Sequence, residues 1–103
     1  MPREKFGTLT EAMFYILICL QNECCGTDIM QQVQELTDGR VRIGPGTLYN
    51  LLDQFLKHKM IRETSVQGRR KNYQITLYGK EILDLEYERI KKLAYDYERR
   101  IPQ

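Results

Sequence analysis

Apolar positions recur at helical spacing in four stretches of this chain and alternate with polar ones in two others. Leu9, Met13, Ile16 and Leu20 are spaced 4-3-4, one face of a helix, with Phe14, Leu17 and Ile18 on a second apolar face. Thr8 or Thr10 can cap this helix, which the pattern carries to about Gln21, and Glu11 in its first turn suits the dipole. A helix apolar on two sides is buried on two sides. In so small a domain Phe14, Leu17 and Ile18 are therefore expected to meet another chain. Gly26-Thr27-Asp28 restarts the chain, with Thr27 the predicted cap of a short helix whose inner face is Ile29, Met30, Val33 and Leu36. Asp38-Gly39 stops it, and Arg40-Val41-Arg42-Ile43 alternates charged and apolar, as a short strand does.

Gly44-Pro45-Gly46-Thr47 opens a third helix, predicted to about Lys59. Leu48, Leu51, Leu52 and Phe55 form its inner face; Thr47, Asn50, Gln54 and Lys57 form its outer stripe. Ile61–Val66 and Lys71–Leu77 then flank the turn Gln67-Gly68-Arg69-Arg70, which reads as a hairpin with a basic tip. Thr76 can cap a last helix to about Arg100, along which Leu83, Tyr87, Ile90, Ala94, Tyr97 and Ile101 repeat 4-3-4-3-4, a heptad seam. Helix, helix, short strand, helix, hairpin and long helix predict a mainly α fold with a small β-hairpin. That is a winged helix-turn-helix over residues 1–76 and a C-terminal dimerisation helix over 77–103, built as one compact unit.

Composition bounds this picture without changing it. The 103 residues, 42% apolar and 29% charged, describe one globular domain near the size where a partner chain often completes burial. The longest apolar run, Ala12–Leu20, is short of the roughly 20 residues that span a bilayer. No basic leader with a small-residue cleavage site precedes it, so no membrane association and a cytoplasmic location are expected.

Charge does change the picture. Between Arg40 and Lys71 eight Lys and Arg residues face only Asp53 and Glu63, a surplus of six in a chain whose total is +2. A basic block inside an otherwise neutral or acidic fold is the footprint of contact with a polyanion; the competing reading is a solvated charged surface. The block falls on the third helix and the hairpin tip. The second helix of a helix-turn-helix enters the major groove. There Thr47 and the first N–H groups suit a phosphate, Tyr49 can reach a neighbouring one, and Asn50 and Gln54 are residue types that pair bidentately with adenine. Lys57 extends this stripe, and Arg69, Arg70 and Lys71 at the tip suit the backbone or the minor groove. Arg40 and Arg42 add phosphate contacts, unless one of them pairs with Asp38.

Catalytic constellations are missing: no nucleophile–base pair, no Gly-rich phosphate loop, no carboxylate cluster with metal spacing. No enzyme, metal site or cofactor is expected. Cys19 reads as a buried hydrophobe, the vicinal Cys24-Cys25 as structural or as a redox-sensing thiol, and the lone His58 as a surface residue. The acids Glu81, Asp84, Glu86 and Glu88 lie among Arg89, Lys91 and Lys92 and read as ion pairs within the last helix or across a dimer.

Three blocks carry a resemblance: Thr10–Leu20, Gly46-Thr47-Leu48-Tyr49, and Gly68-Arg69-Arg70-Lys71-Asn72-Tyr73-Gln74-Ile75-Thr76 followed by Gly79. They resemble the PadR-like transcriptional regulators, whose pattern runs G-T-L-Y-P, then G-L-I, then G-R-x-R-K-Y-Y-x-L-T-x-x-G. The resemblance implies a dimeric bacterial repressor on a pseudo-palindromic operator in double-stranded DNA, paired through its terminal helices. It also implies, as in some relatives, a small planar apolar or aromatic effector at the dimer interface. Phe14, Tyr15, Tyr87, Tyr95 and Tyr97 are the aromatics available, though such a stripe equally serves as plain dimer core. Thr27 stands where the pattern has Tyr, Asn50 where it has Pro, Lys59 where it has Gly and Asn72 where it has Tyr; the tip is about one residue shorter. The alternative function is a winged-helix protein–protein interaction module without specific DNA binding.

Overall fold

Thr10 starts the first helix in the computed structural model, which describes residues 7–100. Its hydroxyl accepts from the Met13 N–H at 3.2 Å, closing a cap over α1 (Glu11–Cys19). Leu20 ends the helix and its carbonyl accepts from the Ile75 N–H at 2.8 Å, which ties the first helix to the sheet. The following elements are β1 (Cys24–Cys25), α2 (Gly26–Leu36), α3 (Pro45–Lys57), β2 (Ile61–Gln67), β3 (Arg70–Ile75) and α4 (Leu77–Arg99). The three strands form an antiparallel sheet in the order β1-β3-β2.

Two predicted features are placed differently. Arg40–Ile43 forms no strand. Thr37 turns its hydroxyl back on the chain instead, donating to the Val33 carbonyl at 2.8 Å and accepting from the Val41 N–H at 3.0 Å. That local bonding removes the N–H a strand would offer. The third strand is Cys24–Cys25, which pairs with Tyr73 and Asn72. Two residues are too short to show any periodicity. Likewise Thr27 is not the cap of α2: the helix begins at Gly26 with Cys25 at the cap position and no side-chain cap bond.

The wing follows the expected pattern more closely. Gly68 and Arg69 form a two-residue loop between Gln67 and Arg70, with Gly68 at φ 62°. Positive φ at the first loop position alone is what a II′ hairpin requires and what Gly supplies without strain. A bulge between Glu63 and Ser65 puts Thr64 out of register, where its hydroxyl donates to Glu23.

One core underlies all of this. Ile16, Leu17 and Leu20 from the first helix, Ile29 and Val33 from α2, Leu48 and Phe55 from α3, and Met60 have no exposed surface. Ile82 and Leu83 from α4 join them at 1% and 4% exposure. The helix then leaves: from Tyr87 to Arg100 only Arg89 is even partly covered. At 1.5 Å per residue, about 20 Å of helix stands clear of the domain.

Lys59 carries strain at the exit of α3. It adopts φ 61°, while its N–H bonds the Leu56 carbonyl at 3.0 Å and the Met60 N–H bonds that of Phe55 at 2.9 Å. These are the two bonds of a Schellman motif, whose left-handed residue is usually Gly. Left-handed geometry costs an L-residue about 1–2 kcal/mol, and Gly returns part of that in unfolded-state entropy. Lys59→Gly is therefore expected to stabilise the fold by about 0.5–1 kcal/mol in chemical denaturation. A loss of stability would show that the Lys59 side chain contributes more than its backbone costs.

Candidate nucleic-acid interface

Gly44 and Pro45 set the direction of α3. Gly44 is extended at the cap position and Pro45 fills the first turn, where a missing N–H costs nothing. Leu48, Leu51, Leu52 and Phe55 turn inward, leaving Thr47, Asn50 and Lys57 exposed and Gln54 half-buried on the outer side. The predicted stripe is thus brought together on one face. Arg42 is exposed in the loop before it.

Tyr49 stands apart from that stripe. Its ring lies over Gly26, the first residue of α2, so closely that a Cβ there would be 2.8 Å from the ring carbon bearing the hydroxyl. Gly26 is a site residue that sequence reasoning missed: its contact to Tyr49 spans two helices and leaves no local signal. Tyr49, Arg69, Arg70 and Lys71 share the wall of a cleft of about 360 Å³ with Cys25, Gly26, Thr27 and Tyr73. The start of α2, the flank of α3 and the tip of the wing therefore open on one side of the molecule.

The cations differ in how free they are. Arg69 is exposed and makes no bond to any described residue. Arg70 is held by Asp28 of α2 at 3.2 Å, and Lys71 lies 3.9 Å from Glu63 on the neighbouring strand. A hydrogen bond from Cys25 and the charge of Arg70 hold the Asp28 carboxyl below the usual range. Arg40 does not pair with Asp38. Its guanidinium donates to Glu11 and to the Tyr15 hydroxyl, both at 2.9 Å, and so locks the loop to the first helix. These pairs are open to solvent, with side chains 40% to 61% exposed, so each contributes little to stability.

All three cysteines are buried and unpaired. Burial, reinforced by Cys19, Asp28 and Cys25, pushes the Cys24 thiol up to about 12, so Cys24 holds no thiolate at neutral pH. A thiol held protonated is a weak nucleophile, which argues against Cys24 as a sensing residue. Among the described residues no group of His, Cys, Asp or Glu has metal-ligand geometry, and no helix is long and apolar enough to cross a membrane.

The residues expected at a dimer contact divide into two sets. Leu17 and Leu83, at 0% and 4% exposure, are enclosed by the chain's own core and have no surface left for a partner. Phe14 and Ile18 are half-buried. Tyr87, Ile90 and Tyr97 are exposed at 51%, 38% and 73%, and Ala94 lies open beside them; Ile101 falls outside the described residues. Leu93, 55% exposed, belongs to the same stripe and was missed. A strict heptad skips it, whereas the 3.6-residue period that buries Ile82, Leu83 and Glu86 runs on through Ile90, Leu93 and Tyr97. Glu86 sits on this face at 1% exposure, gripped by Arg89 at 3.0 and 2.5 Å. Of the other acids on the helix, Glu88 pairs with Lys91 at 3.3 Å and Asp84 with Lys80, which was not among the expected cations, at 3.1 Å; Glu81 and Lys92 form no ion pair among the described residues.

The sequence model of the transcriptional regulator PadR-like family matches residues 16–85. No curated protein matches the sequence. Among solved structures, a transcriptional regulator from Clostridium thermocellum is similar at a TM-score of 0.77 and 20% identity, over 88% of this chain and 90% of that one. A PadR-like transcription factor from Bacteroides fragilis gives 0.73 at 24% identity, over 84% and 86% of the two chains. A PadR family transcription regulator from Clostridium difficile gives 0.71 at 19%, over 84% and 95%. At these identities the structures speak for the fold, a mainly helical domain with a three-stranded antiparallel wing.

Proposed function

The chain belongs to the PadR-like family of transcriptional regulators, and from that premise we propose that it is a dimeric, sequence-specific DNA-binding repressor relieved by an effector. The carrying observation is that α3, the start of α2 and the basic wing tip open on one side of the molecule around one cleft. Thr47, Asn50, Gln54 and Lys57 enter the major groove with α3, Tyr49 and Arg42 reach phosphates, and Arg69, Arg70 and Lys71 follow the adjoining backbone. The free part of α4 supplies the pairing surface. Its Ile90, Leu93 and Tyr97 continue the helix face that is buried lower down, so a second copy completes the burial. Pairing through Phe14, Ile18, Tyr87, Ala94 and these residues sets two recognition helices about 34 Å apart, one turn of DNA, on a pseudo-palindromic operator.

The effector is a small apolar or aromatic molecule between the subunits, supported by Tyr87, Tyr95 and Tyr97 exposed on α4. It acts by binding better to an arrangement of the two subunits that spoils the spacing. The same open stripe would also serve a different chain, which is the second reading. A salt titration of binding to the DNA upstream of the protein's own gene, beside a scrambled duplex, separates them. Tight upstream binding with a steep salt dependence supports the repressor; equal, feeble binding to both leaves the interaction module. On the operator, Asn50→Ala is expected to cost about 1–3 kcal/mol at one adenine position. Equal losses on operator and random DNA would mean that Asn50 reads no base.

A further inference from the structure

We propose that the groove between the sheet and the first turns of α4 is a docking site for a partner protein, which offers it a short segment alternating carboxylates with bulky apolar side chains. Lys59 and Arg62 take the carboxylates, and Leu77 takes an apolar side chain. The site goes beyond the DNA-binding reading and does not depend on it.

The groove encloses about 690 Å³. Lys59, Arg62 and Lys80 line it, and among the described residues no acid does. Gln74, also in its lining, follows Tyr73 on β3, and successive side chains of a strand point to opposite faces. The groove therefore lies on the side of β3 away from the cleft that Tyr73 lines, and the two share no residue.

Two independent observations single it out. The first is Leu77, at 92% the most exposed of the large apolar side chains described. A lone exposed Leu is ordinary, but this one stands with half-buried Ile75 and Tyr78 in the lining of the groove and makes an apolar surface there. The second is Lys59, which holds φ 61° where the family pattern has Gly. Left-handed geometry that Gly would relieve is retained where the side chain is put to use. Lys59 is exposed in the groove and, like Arg62, forms no ion pair with any described residue.

Lys80 plays a different part. Its ammonium is held between Gln21 at 2.7 Å and its own helix's Asp84 at 3.1 Å, so it is a fixed element of the wall. Lys59 and Arg62 are left to carry the attraction. A duplex backbone answers the cations and has nothing for Leu77; an acidic segment with apolar side chains answers both.

The test follows the fluorescence anisotropy of a dye-labelled peptide, alternating aspartate with leucine, as the whole chain is added. Two controls replace every leucine by serine or every aspartate by lysine. The first peptide is expected to bind, and both controls to bind about tenfold or more weakly. Lys59→Gly should weaken peptide binding about three- to tenfold while the fold gains stability, so the loss cannot come from unfolding. Leu77→Ala should weaken it about as much at an unchanged melting temperature, and serves should Lys59→Gly not fold. Saturating duplex DNA should leave the peptide bound. A serine peptide that binds equally well, or variants that bind as the wild type does, overturn the site. So does displacement by duplex with a matching loss of duplex affinity in Lys59→Gly, which would make these cations DNA contacts. Peptide binding that falls as the protein concentration rises would give the groove to a second copy and overturn it too. If the peptide binds and no duplex does, the site stands and the DNA reading falls.

Discussion

Gly79→Ala is expected to lower the melting temperature by more than about 10 °C, the largest effect of any single methyl group in this chain. The cause is a close approach of two backbones. Thr76 caps α4 by accepting from the Gly79 N–H at 3.0 Å, while donating to the Lys59 and Met60 carbonyls at 2.8 and 3.0 Å. The Thr76 N–H bonds the Met60 carbonyl at 2.9 Å as well. The first turn of the helix is thereby pressed against the start of β2. A Cβ on Gly79 would lie 2.8 Å from Ile75 Cγ1 and 2.9 Å from the Met60 carbonyl carbon, with the Met60 oxygen nearer still. Backbone cannot swing aside as a side chain can, so either the cap breaks or the helix tilts and draws its own Ile82 and Leu83 out of the core. Overpacking of this kind costs about 3 kcal/mol, whereas Glu81→Ala, an exposed neighbour, should stay within about 0.5 kcal/mol. Thermal unfolding followed by circular dichroism distinguishes the two; a Gly79→Ala protein that melts with the wild type would mean that the approach of α4 to Met60 is loose.

Replacing Arg69 and Arg70 together by Ala is expected to weaken binding to every duplex, by roughly ten- to a hundredfold at low salt, and to flatten the salt dependence. Each phosphate contact contributes about 0.9 to the slope of log Kobs against log salt, so the double variant should lose up to about 2. The two residues are not equivalent. Arg69 makes no bond to any described residue, so its loss removes a DNA contact and no bond among those residues. Arg70 is bound to Asp28, so Arg70→Ala also releases the wing from α2. That pair is exposed and screened by solvent, so its loss does not unfold the domain. Binding isotherms at several salt concentrations, on operator and random DNA, measure both effects; an unchanged slope would take the wing off the DNA.

The architecture was readable in the residues because its elements are punctuated locally. Thr10 and Thr76 cap helices, Gly44-Pro45 opens one, and Gly68 turns the wing, each within a few residues of what it controls. Inner faces at periods of 3.6 and 2 then point one way only. Leu48, Leu51, Leu52 and Phe55 on α3 are buried as their spacing requires, and so is Tyr73 on β3. The basic block from Arg40 to Lys71 likewise announced a surface, because charge is a sum over residue types and needs no coordinates.

What the spacing left undecided was every question of which distant groups meet. Arg70 finds Asp28 across 42 residues, Arg40 reaches Glu11 and Tyr15 rather than Asp38, and Cys24–Cys25 becomes a strand only because β3 offers it an edge. Leu17 and Leu83 looked like interface residues because helical spacing says that a face is apolar and not what covers it. The chain's own core takes both, while Ile90, Leu93 and Tyr97 on the same helix are left open. The sequence by itself determined the helices, the hairpin, most of their inner faces and the sign of the charged surface, since each depends on interactions between near neighbours. Only the tertiary structure decided which cations are free, where the cleft lies and which apolar residues remain for a partner, since those depend on contacts between residues that the chain separates and the fold brings together.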